Sequence, residues 1–208
     1  MNRFVIAMLG MLMGELALAQ AEWHESGLLT GEIGGDPVEL RSYYVTVPDD
    51  LGDEVVDEII RVIVDSFVDG VQHGARYQLV PEVAIGSLIL APAQLRVRLD
   101  LRPDEDPETE GQLSIEFSLE PETFEFQSET EVVRYFPRGR DLSDHYRLSE
   151  GELLIDEVAH DFDGGSLTVR GRITGLLTYQ TGAELVHNPN DALSIGAEFQ
   201  IDDVATLD

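Results

Sequence analysis

The stretch EVAHDFDGGSLTVRGRITG sets two carboxylates, Asp161 and Asp163, beside Gly164 and Gly165. Alternating aspartates followed by glycine can open a calcium loop, because calcium takes about six to eight oxygen ligands in flexible geometry. An EF-hand loop counted from Asp161 needs oxygen ligands at positions 1, 3 and 5 and a glutamate at position 12. Asp163 fills position 3, but Gly165 stands at position 5 and Arg172 at position 12. The pattern fails after two ligands. Asp-Gly-Gly also supplies the positive φ angles of a tight hairpin. The expectation is a hairpin turn in which Asp161 and Asp163 hold a cation only with carboxylates from elsewhere, such as Asp156 or Glu157. No cofactor is required, and calcium is the one alternative.

A second stretch, RYFPRGRDLSDHYR, gathers Arg134, Arg138, Arg140 and Arg147 among Tyr135, Phe136, His145 and Tyr146. Arginine forks beside aromatic faces hold carboxylates, sulfates or sugar rings. Pro137 and Gly139 mark a loop, and Asp141 and Asp144 can neutralise the arginines from within. Arg134, Arg138, Arg140, His145 and Tyr146 are the candidate ligand-binding residues, for a small anionic or saccharide ligand.

Other chemistry finds little support. The five histidines lack zinc-ligand spacing. There is no G-x-S-x-G, no cysteine and no lysine, which removes the common covalent nucleophiles. No glycine-rich phosphate loop opens a helix. Paired carboxylates of a hydrolase remain open only because 41 acidic residues always offer pairs.

Those 41 acids stand against 13 basic residues, all arginine, for a formal net charge of -28. Such a surface repels nucleic acid and anionic lipid, opposes self-association, and tolerates salt, which screens its self-repulsion. Residues 1–21 read as a signal peptide: Arg3, an apolar run from Phe4 to Leu18, and small residues at Ala17, Ala19 and Ala21. The run falls short of the roughly 20 residues of a membrane span. A disulfide-free exported chain points to a bacterial, periplasmic or secreted protein with no stable membrane insertion once the signal is removed.

Residues 22–208 are expected to form one domain. SGLLTGEIGGDPVELRSYYVTV reads as a hairpin turning at Gly34-Gly35-Asp36-Pro37. An amphipathic helix is expected near 53–72, where Val55, Val56, Ile59, Ile60, Ile63, Phe67 and Val71 make an apolar stripe. QLRVRLDL and LSIEFSLE alternate strictly, and five further strand-like stretches follow, separated by Gly, Pro and Asp. Aromatics make up only 7% and outward positions are charged, unlike the lipid-facing band of an outer-membrane barrel. The expected fold is a mainly β, antiparallel β-sandwich, jelly-roll or Ig-like in style, with one amphipathic α-helix packed on it.

SGLLTGEIGGDPVEL and GELLIDEVAHDFDGGSLTVRGRITGLL are similar to hairpins of small exported bacterial β-sandwich proteins. That resemblance implies architecture and carries over no catalytic residue. The functional expectation is an exported, acidic, non-enzymatic binding or accessory module, its partner a small ligand or an envelope protein. The alternatives are a calcium-stabilised adhesion-type domain and a carboxylate-dependent hydrolase.

Overall fold

A computed structural model describes residues 22–46, 74–85, 88–106, 109–139, 144–161, 166–181 and 186–206. The expected signal peptide, the helix near 53–72 and the turn at 162–165 lie outside the described residues.

The chain divides into two compact units. The described part of the smaller, residues 22–24 and 44–46, includes His24 and Tyr44, whose rings stack at 4.9 Å. The larger, Glu25–Tyr43 with Gly74–Asp208, holds most of the sheet. In chain order the strands are β1 (Glu22–Ile33), β2 (Asp36–Thr46), β3 (Ala75–Val80), β4 (Val83–Ile85), β5 (Leu88–Ala91), β6 (Gln94–Leu101), β7 (Gln112–Leu119), β8 (Phe126–Phe136), β9 (Asp144–Asp161), β10 (Ser166–Thr181) and β11 (Val186–Thr206). β4 and β5 pair apart from the rest as a two-stranded sheet.

The chain is mainly β, as the alternation demands, but the expected face-to-face sandwich is replaced by one curled sheet of half-barrel form. Its nine strands run β10-β9-β8-β7-β6-β3-β11-β1-β2, and β10 also pairs β11. Among the described pairings between named strands all are antiparallel except β11–β3, which is parallel at Ala205↔Arg76 and Thr206↔Tyr77. Long strands explain the difference from a sandwich. β9, β10 and β11 run 18, 16 and 21 residues. Strands of that length coil instead of lying flat, helped by register shifts at Arg170/Gly171 and Leu176/Leu177. Gly151 faces Gly175 across β9 and β10, with φ of +117° and +153°. The expected first hairpin is present, with Gly34 and Gly35 both left-handed at φ +64° and +87°, the turn that matches strand twist.

The main apolar cluster lies on one face, although β7 is buried on both. Leu99, Ile115 and Val133 are opposite one another on β6, β7 and β8, each fully buried. Leu95, Val97 and Leu101 on β6, with Leu113, Phe117 and Leu119 on β7, complete the alternating faces read from the sequence. Each such side chain contributes about 1.5–3 kcal/mol by leaving water.

Candidate functional site

The arginine- and tyrosine-rich stretch is not one loop. Arg134, Tyr135 and Phe136 end β8, while Asp144 to Arg147 begin β9, and the two strands pair at Arg134↔Arg147 and Tyr135↔Tyr146. Successive strand residues point to opposite faces. The pairing therefore deals the expected ligand residues to two faces instead of one pocket: Arg134 and His145 go to the outer face, Tyr146 to the core face.

On the core face a row crosses five strands: Leu101, Leu113, Tyr135, Tyr146 and Tyr179. Tyr135 and Tyr146 have ring centroids 6.4 Å apart; Tyr146 and Tyr179 meet edge-on at 5.3 Å. The row extends the core toward its polar end, and the hydroxyls of Tyr146 and Tyr179 are tied to carboxylates. Tyr146 Oη donates to Asp191 Oδ1 at 2.9 Å. Burial, that hydrogen bond and the Asp191 charge push the Tyr146 phenol up to about 12. Tyr179 is raised mainly by its hydrogen bond to Asp144, and Tyr135 mainly by burial. Arg138 is 75% exposed and pairs with Asp144 at 3.4 Å. This side of the sheet is thus rich in carboxylates and unsuited to an anion.

On the outer face the adjacent row reads Asp100, Ser114, Arg134, Arg147 and Thr178. Arg134 Nη1 lies 2.9 Å from Glu116 Oε1, and Glu116 reaches Arg98 Nε at 3.9 Å. Arg98 Nε also approaches Asp100 Oδ2 at 3.2 Å, and Arg76 Nη1 lies 3.6 Å from the same oxygen. These side chains are all at least half-buried, so the network is less screened than a surface pair. Arg96, on the same face of β6, is exposed. His145 is buried beside Phe136, ring centroids 5.7 Å apart.

Arg140 and Asp163 lie outside the described residues. Asp161 pairs with Ser166 at the end of the β9–β10 hairpin. No group of three or more His, Asp or Glu side chains able to hold a metal occurs among the described residues. A shallow groove of ≈ 340 Å³ lies elsewhere, between Thr30, Arg172, Thr174 and Glu198 over the bare backbone of Gly196. Its arginine is paired with Asp156 at 3.5 Å. Among the described residues no helix is long and apolar enough to cross a membrane.

Sequence reading missed Ser114, Glu116, Arg98 and Tyr179 because they are distant in the chain and joined only by register. The signal for the two-faced split was present: VVRYF and DHYRL both alternate. Pro137 and Gly139 drew the loop boundary too wide.

No family model matches the chain, and neither a curated protein nor a solved structure matches it.

Proposed function

We propose that the chain is an exported, non-catalytic binding or accessory module whose ligand surface is the arginine-bearing outer face of β3, β6, β7, β8 and β9. One observation carries the reading. Where β3 and β6 to β9 meet, Arg76, Arg96, Arg98, Arg134 and Arg147 gather on that face against Asp100 and Glu116, with Glu150 and Glu152 farther along β9, in a chain with 41 acids and 13 bases. A cationic face on so acidic a protein favours an anionic ligand or partner segment, since opposite charge over one patch steers and selects. Export is supported by the leader-like residues 1–21, and the ligand is then met in the periplasm or outside the cell. A binding role is favoured over catalysis because the sequence has no G-x-S-x-G motif, cysteine or lysine to serve as a nucleophile.

The test is calorimetric titration of the full chain with polyglutamate and dextran sulfate at low salt, with neutral dextran as control. Saturable heat with either polyanion is expected, diminished in an Arg96→Glu, Arg147→Glu double variant that retains the wild-type circular dichroism. Heats equal to those with neutral dextran would sink the reading.

A further inference from the structure

We infer that Arg134 and Arg147, with Ser114 beside them, form a subsite for a single oxyanion group: a carboxylate, sulfate or phosphate. This rests on the cationic face proposed above and specifies the chemistry it takes.

Register places the two cations together. Arg134 and Arg147 are direct cross-strand partners on the outer face, where opposite residues have Cα atoms about 4.5–5.5 Å apart. Like charges placed opposite each other destabilise a sheet unless something neutralises them.

Of the two, Arg134 reaches a carboxylate among the described residues and Arg147 does not. Glu116 sits at 2.9 Å from Arg134 and is shared with Arg98, while Asp100 serves Arg98 and Arg76. Arg147 makes no ion pair among the described residues. An anion between the two forks would complete the row. A guanidinium presents planar paired donors that match a carboxylate, sulfate or phosphate oxygen pair.

Ser114 adds a neutral donor. It precedes Arg134 in the row, is only 3% exposed, and its hydroxyl has no hydrogen-bond partner among the described residues. Buried hydroxyls are nearly always bonded, so an orphan beside two cations marks a donor awaiting an acceptor. The alternative location fails on charge: across the sheet, Asp144 and Asp191 already take the tyrosine hydroxyls.

The experiment uses the ¹⁵N-labelled full chain and follows the Nε–Hε resonances of Arg134 and Arg147. Sodium sulfate, sodium phosphate and sodium acetate are titrated at constant ionic strength maintained with sodium chloride. Saturable shifts of both resonances are expected with at least one anion. Response to sulfate and phosphate alone assigns a sulfated or phosphorylated ligand; equal response to acetate assigns a carboxylate. Arg147→Ala, which breaks no ion pair among the described residues, should weaken binding at least tenfold, Arg147→Lys less, and Ser114→Ala several-fold. Unsaturable shifts, or an unchanged dissociation constant in Arg147→Ala, would overturn the subsite. If polyanions still bind while these variants have no effect, the cationic face stands and only the subsite falls. If polyanions also fail to bind, both fall.

Discussion

Tyr146 and Asp191, 45 positions apart, are joined by a phenol-to-carboxylate hydrogen bond of 2.9 Å that fixes β11's loop end against the tyrosine row. The carboxylate accepts from the neutral phenol and opposes its ionisation, and burial acts the same way.

Ultraviolet titration of the six tyrosines should therefore contain a late step near pH 12 that disappears in Tyr146→Phe. The folded-state value lies above the ordinary value of 10.0, so the protein favours the protonated phenol. Its stabilising contribution is complete below pH 10 and is lost as pH rises from there toward 12. Asp191→Asn should bring the late step earlier. A titration in which Tyr146→Phe removes an ordinary step near 10 would contradict this.

Two glycines of the long strands should respond oppositely to a methyl group. Gly151 has φ +117°, and a Cβ there would collide with the Thr174 carbonyl and Gly175. Gly151→Ala should cost about 2 kcal/mol or more in chemical denaturation. At Gly196 a Cβ would meet nothing within 4 Å, and Gly196→Ala should stay within about 0.5 kcal/mol of wild type. Equal losses would mean that the Gly151–Gly175 crossing is not a tight point of the sheet.

In the core, Phe117 is 1% exposed and meets Phe126 edge-on, with centroids 5.9 Å apart. Phe117→Ala should cost about 3–5 kcal/mol, because the cavity left by an aromatic ring closes only partly. A urea midpoint near the wild-type value would show that β7 and β8 repack freely there.

Strand faces were the part of this fold open to sequence reading. Leu95, Val97, Leu99 and Leu101 alternate with polar and charged residues, so the period of two alone locates β6 and names its buried side. Gly34-Gly35 likewise announces the first turn through its demand for positive φ. What could not be read was which strands meet. One curled sheet and a two-sheet sandwich need the same period-two pattern, and the choice depends on β9, β10 and β11 being long enough to coil. The candidate site followed the same divide. Arg134 and Tyr146 were visible as chemistry, but placing Arg134 beside Glu116 and Ser114, and Tyr146 beside Asp191, depends on register across β7 to β11.

Register also makes Glu116 the keystone of the outer network, since its carboxylate lies between Arg98 at 3.9 Å and Arg134 at 2.9 Å. Glu116→Gln keeps the side-chain shape and removes the charge. Arg98 retains Asp100, but Arg134 is left facing Arg147 without an ion pair among the described residues. Since these side chains are about a quarter exposed, solvent screening limits the loss to about 1 kcal/mol. Sulfate should then raise the melting temperature of Glu116→Gln more than that of wild type, at ionic strength matched with sodium chloride. General salting-out by sulfate stabilises both proteins alike, so only the difference reports on the arginines. An equal rise in the two would mean that solvent alone is enough to keep the opposed guanidiniums apart.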